Sequence, residues 1–330
     1  RHGWLRLTPA YSVKIVEELF AERDEMLRVF DPFCGTATTG LSAAYHGHEA
    51  VTTDINPFLV WLGRVKTARY SRSALEATRD ACMRALELVK QKHIDPAPAP
   101  PIHKIERWWS GPALLFLRRL RAAIDAATDP TSSARSLLLV AFCRSLITLS
   151  NAAFNHQSMS FKSQDQAALP LGRDLGETFA ADVAFVLQGA AENPDGACEV
   201  LLGDARSPAD AVTGRFDRVV TSPPYANRMS YIRELRPYMY WLGFLVNGRD
   251  AGEMDWSAIG GTWGIATSRL IDWRRNDDRV ENAHLERALV HIAHEANQSG
   301  RILANYIAKY FDDMWAHIKG LPSVLARGAE

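Results

Sequence analysis

The sequence predicts an α/β fold in which a parallel sheet is covered by helices and interrupted by a large helical insertion. Two observations support this prediction. Short apolar segments that end in an acid alternate with helical patterns before residue 70 and again after residue 192. Between these regions, helical periodicity dominates. We therefore expect a core made of residues 1–70 and 192–330, with residues 71–191 inserted as a helical subdomain.

The composition is that of an ordinary globular protein. The chain has 330 residues, of which 47% are hydrophobic and 23% charged, enough for one large or two modest cores. Its apolar runs are shorter than a membrane span, and it opens without a signal-peptide pattern. The 4 cysteines are scattered without a Cys-x-x-Cys pair. We therefore expect no membrane association, no metal site, no disulfides and a cytoplasmic location.

Positive charge is concentrated in one part of the chain. Between Val60 and Arg121, 13 Lys or Arg residues stand against 5 Asp or Glu residues, in a chain whose formal net charge is +0. A surface that binds a nucleic-acid backbone needs such a basic excess, but solvated helix faces have the same composition. The sequence leaves both interpretations open.

The first predicted strand, turn and helix indicate a ligand site. An apolar run ends at Asp31-Pro32, and small residues follow before the helical pattern begins. In residues 32–37, here called the first turn, Gly35 and Ala37 leave room for a ligand against the backbone, and amides at the helix start would face it. Asp31 would attract a cationic amine and repel a phosphate. This favours a nucleotide-type cofactor, although a plain strand-to-helix turn has the same outline.

A second acid follows the second predicted strand. Residues 49–54 form a short apolar segment that ends at Asp54, and a helix is expected from Pro57 to about Lys66. Asp54 lies 23 residues after Asp31, which suits a carboxylate that accepts both hydrogen bonds of a ribose diol. A helix-capping acid is the alternative interpretation.

The remaining elements are predicted from periodicity. An N-terminal helix is expected from Ser12 to about residue 22, with an apolar face made of Ile15, Val16, Leu19 and Phe20. Helices of the insertion are expected near residues 75–92, 112–127, 133–152 and 169–191. The polar residues 154–162 are interpreted as a nucleic-acid contact or as a surface loop. Two more strands are expected at residues 198–205, with the acid Asp204 near the end, and at residues 216–221.

The last of these strands leads into Ser222-Pro223-Pro224-Tyr225, here called the Pro-Pro segment. Two prolines fix an extended backbone and remove two donors, so carbonyl groups and the Ser222 hydroxyl remain as acceptors. The Ser222 hydroxyl and the Pro223 carbonyl would accept the N–H groups of an exocyclic amine while Tyr225 stacks on the base. Such a base must leave the duplex, which implies base flipping. The chain has no Pro-Cys dipeptide, which disfavours a cysteine nucleophile.

Three segments carry a family resemblance. Residues 31–40 resemble the first motif of the S-adenosylmethionine-dependent DNA amino-methyltransferases, usually Asp-Pro-Phe-x-Gly-x-Gly-Thr-Thr, with Ala37 in place of the second glycine. Asp54 and the three residues after it resemble the second motif. Thr221 and the Pro-Pro segment resemble the fourth motif, in the serine spelling most associated with cytosine N4.

The resemblance implies a Rossmann-like class I methyltransferase sheet, S-adenosylmethionine as cofactor and methyl transfer to the exocyclic amine of a flipped base. Double-stranded DNA is the implied substrate, contacted in part by the insertion, and restriction or defence-system proteins are the implied partners. Asp204 would accept from the adenine amino group of the cofactor. The implied catalytic residues are Ser222, Pro223, Pro224 and Tyr225. The implied cofactor-binding residues are Asp31, Pro32, Phe33, Gly35, Ala37, Thr38, Asp54, Asp204, Ala205 and Tyr11.

Other interpretations share these motifs. They are an adenine N6 DNA methyltransferase, an RNA base amino-methyltransferase, and an inactive subunit that binds the cofactor and recognises DNA. The family sheet has seven strands, whereas helices are expected at residues 282–298 and 301–319, and only residues 325–330 resemble the approach to a fifth strand. We therefore expect that a C-terminal portion is missing from this sequence.

Several residues after the Pro-Pro segment are further candidates. The flipped base or its phosphates would be held by Asn227, Arg228, Tyr231 and Arg233. Core packing is expected for Tyr238, Tyr240 and Trp241. Residues 256–273, together with Arg274 and Arg275, are expected to form a mobile, DNA-facing loop region. His291 and His294 are expected on a surface helix.

Overall fold

The computed structural model describes residues 1–5, 12–21, 25–153, 160–161, 174–227, 230–261, 265–295 and 299–330. The strands are β1 (Arg28–Asp31), β2 (Glu49–Asp54), β3 (Ala152–Ala153), β4 (Ser160–Phe161), β5 (Ala197–Leu202) and β6 (Arg218–Val219). The first helices are α1 (Val13–Phe20), α2 (Thr38–Tyr45), α3 (Pro57–Thr67), α4 (Arg72–Lys90), α5 (Ile105–Trp108), α6 (Gly111–Ala127), α7 (Ser133–Thr148) and α8 (Leu175–Ala191). The later helices are α9 (Pro208–Ala211), α10 (Tyr231–Leu242), α11 (Gly248–Ser257), α12 (Ile265–Asp272), α13 (Ala283–Glu295) and α14 (Gly300–Gly320).

The central sheet has four parallel strands in the order β5-β2-β1-β6. Phe30 in β1 is paired with Val51 of β2 on one side and with Val219 of β6 on the other. The chain moves outward from β1 to β2 to β5 and then returns to place β6 on the other side of β1. The strand order therefore reverses between β1 and β6, where such sheets bind ligands. The predicted Rossmann-like α/β fold is confirmed.

Two glycines let helices lie close to the sheet. A Cβ at Gly40 in α2 would lie 2.6 Å from the Cys198 Sγ and 2.8 Å from the Thr52 Cγ2. A Cβ at Gly63 in α3 would lie 3.0 Å from the Val200 Cγ1. Because only glycine fits such close approaches, these positions fix how α2 and α3 cover the sheet around the first turn.

The segment after α14 lies at the edge of the sheet next to β6. The Phe216 amide donates to the Val324 carbonyl at 2.9 Å, and the Ala326 amide donates to the Phe216 carbonyl at 2.9 Å. This pairing is parallel and is seen as a bridge between Phe216 and Leu325. Residues 325–330, expected to approach a fifth strand, therefore run beside β6.

The helices of residues 71–191 share one core with two helices that border the sheet. Leu62 of α3, Leu117 of α6, Phe142 of α7 and Trp241 of α10 belong to the same buried cluster. The rings of Phe142 and Trp241 lie 5.5 Å apart in an edge-to-face arrangement. Because α10 follows the Pro-Pro segment, the helical region supports that segment through direct packing. The division of the chain at residues 71 and 191 stays a prediction.

Many cations of the basic region bind the protein itself. Side chains of this region donate to backbone carbonyls at Thr36, Val200, Pro194 and Ala97. The donors are Lys66, Arg64, Arg69 and Arg118. The charge excess in the sequence therefore overstates the charge that this region offers to a partner.

Two predictions about local structure are wrong in part. Ile15 and Leu19 of α1 are 58% and 40% exposed, so only Val16 and Phe20 of its apolar face are buried. Residues 256–273 were expected to be a mobile loop, but their described part contains the end of α11 and all of α12. Gly261 is buried there, and a Cβ would clash with the Asp255 carbonyl at 1.7 Å.

Some candidate residues lie outside the described residues: Tyr11, Arg228 and most of residues 154–162. His291 and His294 are exposed on α13. Within the described ranges, none of the helices combines the length and the apolar character that crossing a bilayer requires.

Candidate active site

An open cavity lies at the carboxyl ends of the four central strands. It encloses about 880 Å³, including space open to solvent. Its walls come from the segments that follow each strand, namely residues 32–35, 54–56, 203–205 and 222–225. Further walls are made by Leu59, Tyr231, Ile232, Ser257, Ala258 and Ile259. The first turn and the Pro-Pro segment therefore share one cavity, here called the active-site cavity.

Most of the candidate residues line this cavity. They are Pro32, Phe33, Gly35, Asp54, Asp204, Ala205, Ser222, Pro223, Pro224 and Tyr225. Asp31, Ala37 and Thr38 are buried at 0%, 0% and 4% exposure and lie behind its wall.

The first turn is held by hydrogen bonds within the protein. The amides of Phe33, Cys34 and Gly35 all donate to acceptors of β1 or β2, at 2.8 to 3.0 Å. The acceptors are the Asp31 Oδ1, the Thr53 carbonyl and the Asp54 Oδ2 respectively. These three amides precede the start of α2 at Thr38, so the expectation that the amides of the helix start face a ligand stays a prediction. The role of the three amides is to fix the shape of the turn.

Ala37 affects the backbone more than the space for a ligand. It adopts a left-handed conformation with φ of 59°, which favours glycine. Its methyl group is fully buried against Cys34, Val60 and Val200. The side chain therefore packs in the core and takes no space from the cavity.

Asp54 links the end of β2 to the first turn. Its Oδ2 accepts from the Gly35 amide at 2.9 Å, and its Oδ1 accepts from the Asn56 amide at 2.9 Å. The helix cap of α3 is Asn56, whose side chain accepts from the Phe58 amide at 3.0 Å. The helix-capping interpretation of Asp54 is therefore replaced by a role in joining two loops. Each carboxylate oxygen keeps a second lone pair, and the side chain lines the cavity.

Two buried carboxylates lie at this end of the sheet. Burial raises the pKa of Asp31 to about 6 and the pKa of Asp54 to about 6, because the charged form loses its hydration. The Thr221 hydroxyl donates to the Asp31 Oδ1 at 2.6 Å. This bond joins the end of β1 to the start of the Pro-Pro segment, across the point where the strand order reverses.

The charge of the cavity wall has one sign. Among the described residues that line it are Asp54 and Asp204 but no Lys or Arg. Its remaining surface is largely apolar, with Leu59, Ile232 and Ile259 in the wall. Such a cavity disfavours a phosphate and suits a ligand that combines an apolar body with positive charge.

Asp204 has an internal partner that the sequence did not reveal. Arg206 donates to both carboxylate oxygens, at 2.9 Å from its Nε and at 2.6 Å from a terminal nitrogen. Burial acts to raise the pKa of Asp204, but these hydrogen bonds outweigh it and lower the pKa. Arg206 also pairs with Asp313 of α14 at 3.1 Å. Asp204 is therefore a charged, oriented acceptor at neutral pH.

Tyrosines from elsewhere in the chain hold the Pro-Pro segment. The Tyr310 hydroxyl of α14 donates to the Pro224 carbonyl at 2.9 Å, and the Tyr225 amide donates to the Tyr231 hydroxyl at 3.1 Å. The Tyr225 ring is 50% exposed at the cavity. The backbone is thus fixed while one aromatic face stays accessible.

Helix α14 contributes a second residue that sequence analysis missed. The His317 Nδ1 donates to the Ala205 carbonyl at 2.8 Å, and its ring lies edge-on to Phe33 with centroids 4.9 Å apart. Burial lowers the pKa of His317, which keeps it neutral. No local pattern marks Tyr310 or His317, because both act through the packing of a distant helix.

Comparison with known proteins gives one low-identity relative. The chain is similar to the Type II methyltransferase M.MvaI of Kocuria varians, with 20% identity over 235 residues that make up 67% of this chain and 51% of that protein. This chain therefore spans about half the length of that relative. No protein-family model and no solved structure matches the sequence. The comparison supports a similarity to methyltransferases, and the Rossmann-like sheet of this chain is consistent with it.

Proposed function

We propose that this protein is an S-adenosylmethionine-dependent DNA methyltransferase that modifies the exocyclic amine of a flipped base, cytosine N4 in the first instance. The observation that carries the proposal is that the first turn and the Pro-Pro segment line one cavity. The similarity to a Type II methyltransferase supports it. Residues 1–70 and 192–330 would form the catalytic core, and residues 71–191 would be the inserted subdomain.

The cavity fits the chemistry of the cofactor. S-adenosylmethionine carries a sulfonium whose methyl group is the electrophile. A wall with carboxylates and no Lys or Arg among its described residues favours that positive charge. Asp54 would accept from the ribose hydroxyls and Asp204 from the adenine amino group, while Phe33 and Leu59 would cover apolar surface. Asp31, which is fully buried, would act through the field of its carboxylate.

The Pro-Pro segment would prepare the nucleophile. The lone pair of an exocyclic amine is delocalised into the base, so the free amine is a poor nucleophile. The Ser222 hydroxyl and the Pro223 carbonyl would accept its two N–H groups and turn the lone pair toward the methyl group. The half-exposed Tyr225 would stack on the extruded base. Transfer would be direct, with no covalent intermediate on the protein.

The choice of cytosine N4 rests on Ser222, because the serine spelling of this motif is the one associated with that base. Adenine N6 is the alternative DNA substrate, and an RNA base is the alternative nucleic acid. The substrate proposed here is double-stranded DNA, and the proposed partners are restriction or defence-system proteins.

The test is methyl transfer from labelled S-adenosylmethionine to unmethylated duplex DNA, followed by nucleoside analysis. The expected product is N4-methylcytosine. Label in N6-methyladenine would identify adenine N6 as the amine that is modified. Label only in 5-methylcytosine or only in RNA would contradict the proposal. Binding of both cofactor and DNA without transfer to any of several DNAs of mixed sequence would identify a recognition subunit instead.

A further inference from the structure

A second cavity carries the opposite charge. Its wall contains four cationic side chains and, among the described residues, no Asp or Glu. The four cations are Lys104, Arg107, Arg233 and Arg236. The rest of the wall includes Trp108, Phe161, Pro237 and Tyr240. This cavity is here called the basic cleft.

The basic cleft is built by two parts of the chain. Lys104 and Arg107 come from the helical region, at the start of α5, whereas Arg233 and Arg236 come from α10. Helix α10 begins at Tyr231, which lines the active-site cavity. With about 3.6 residues per turn, Arg233 and Arg236 are rotated about 200° and 140° from Tyr231 around the helix axis. The two cavities therefore border the same helix on opposite faces, close to its first turns.

Arg107 and Arg233 of the cleft differ from cations that are paired with carboxylates elsewhere in the protein. Arg275, for example, pairs with Asp312 at 2.6 Å. In the cleft, the Arg107 guanidinium lies over the Phe161 ring at 4.5 Å, and the Arg233 Nε is buried without a hydrogen-bond partner among the described residues. Lys104 and Arg107 are exposed.

The positive charges of the cleft are close enough to act on one another. Arg236 lies close enough to Arg233 for burial and then the neighbouring positive charge to lower its pKa. Glu234 is also near both arginines, and their charges act on it, but it does not belong to the described wall of the cleft. Glu234 and Asp255 offset part of this positive charge at Arg236, whereas Lys104 and Arg107 are exposed and keep the wall of the cleft positive, which suits an anionic ligand.

We propose that the basic cleft binds the sugar–phosphate backbone of the DNA strand beside the extruded nucleotide. This inference rests on the proposed function, which requires a flipped base in the adjoining cavity. Guanidinium groups match phosphate oxygens in a fork geometry, and Tyr240 offers an aromatic face for an unstacked neighbouring base. The acidic cavity would exclude phosphates, and the basic cleft would hold them on the other face of α10.

The test compares two double variants of the full chain. Lys104→Gln with Arg107→Gln removes two cations of the cleft without changing α10. Arg79→Gln with Lys90→Gln is the control, because both residues are exposed on α4 and the change of charge is the same. Binding of a fluorescent duplex is measured by anisotropy at several salt concentrations. The cleft variant should bind more weakly, with a salt slope smaller by about 1.8, and the control should match the wild type.

The outcomes separate this inference from the proposed function. Equal affinity and equal salt slope for the cleft variant and the wild type would overturn the inference, even if the wild type methylates DNA. The inference would also be overturned if the cleft variant lost more affinity for single-stranded RNA than for duplex DNA. If the wild type transfers no methyl group but the salt slope of DNA binding is still smaller in the cleft variant than in the wild type, the proposed function fails. The cleft then remains a DNA-binding surface. Thermal unfolding and binding of S-adenosylmethionine without DNA check that both variants are folded.

Discussion

The two sides of the active-site cavity are held in different ways. On the first-turn side, backbone amides donate to carboxylates and carbonyls of the neighbouring strands, within a sheet that is buried. On the Pro-Pro side, the backbone is held by tyrosines from α10 and α14, and the Tyr225 ring is half exposed. The difference indicates that the first side is rigid because of local sequence, whereas the second depends on packing of helices far along the chain.

The same two sides differ in electrostatics. Asp31 and Asp54 are buried near the first turn, whereas the Pro-Pro segment leads into α10 and the cations of the basic cleft. A cationic ligand and a polyanion can then occupy adjoining sites without competing. The predictions below separate the contributions of the two sides, from the largest effect to the smallest.

The largest effect is expected on the Pro-Pro side. Ser222→Ala and Tyr225→Ala should each lower the rate of methyl transfer about 100-fold or more, because each removes a group that orients the base. The affinity for S-adenosylmethionine should not change, since these residues lie opposite the first turn. Rates are measured with labelled cofactor, and affinity by calorimetry.

Tyr310→Phe, which loses only the bond to the Pro224 carbonyl, should lower the rate of methyl transfer about tenfold. An equal loss of cofactor binding in all three would contradict the division of roles.

The first-turn side is tested with Asp54→Asn. The Gly35 and Asn56 amides donate to different oxygens of Asp54, so an asparagine would present an NH2 donor to one of them, and it lacks the charge. Loss of a charge-assisted bond of about 2 kcal/mol predicts cofactor binding about 30-fold weaker. Asp210→Asn is the matched control, because that acid is exposed on α9 outside the cavity wall. Unchanged calorimetric affinity in the Asp54 variant would remove Asp54 from the site.

Lys66 supports the first turn at a cost in stability. It is 1% exposed, donates to the Thr36 carbonyl, and has no carboxylate within 4 Å among the described residues. Burial lowers its pKa to about 8. Lys66→Met should raise the free energy of unfolding at pH 7 by about 2 kcal/mol, which is the relieved burial of charge less one hydrogen bond.

The pH dependence identifies the cause. Because the folded pKa lies below the unfolded value, the wild-type penalty should fade as pH rises from about 8 past 10, and the two proteins should converge. Denaturation by urea at pH 7 and pH 10 measures this difference. A variant that is less stable at pH 7 would show that the bond to the first turn outweighs the burial of the charge.

Much of the first-turn side could be predicted from the sequence, because its determinants are local. The bounds of β2 match the expected residues 49–54, and Asp31, Gly35 and Asp54 occur in a short, ordered pattern. Helical periodicity also located most helices of residues 71–191. These features depend on residues close together in the chain.

The other side could not be predicted, because its determinants are distant. Tyr310 and His317 reach the site only through the packing of α14, and Arg206 matters because Asp204 and Asp313 converge on it. The basic excess of residues 60–121 includes Lys104 and Arg107 of the cleft, although backbone carbonyl groups take up several of its other side chains. The other two cations of the cleft come from α10, which the count of charges did not include.

A smaller effect is expected from pH. Asp31 and Asp54 are ionised above a pKa of about 6, and a cationic cofactor binds best to the ionised form. Affinity should fall about tenfold for each group between pH 7 and pH 5. The stability of the free protein should depend on pH in the opposite direction to cofactor affinity. Because the pKa values of Asp31 and Asp54 are raised on folding, their protonated forms favour the folded state at low pH, and this contribution to stability is lost as pH rises through about 6. The thermal shift produced by the cofactor should therefore grow from pH 5 to pH 7. A constant shift would show that neither carboxylate interacts with the ligand's charge.

The smallest effect is expected at Ala37, where two terms oppose each other. Ala37→Gly relieves a left-handed alanine, worth about 1 to 2 kcal/mol, but it removes a buried methyl group of about 0.8 kcal/mol and adds about 0.4 to 1 kcal/mol of entropy to the unfolded chain. The free energy of unfolding in urea should therefore change by less than about 1 kcal/mol, and cofactor affinity should not change.

Gly35→Ala is the contrasting variant, because Gly35 also has a positive φ, of 51°, but lines the cavity. The Gly35 variant should be about 1 kcal/mol less stable than the wild type, because alanine is strained at this φ. It should also bind the cofactor more weakly, because the added methyl group lies at the cavity wall. If Ala37→Gly instead tightened cofactor binding several-fold, the alanine methyl would be limiting the space for the ligand after all, and the first turn would be less rigid than its hydrogen bonds indicate.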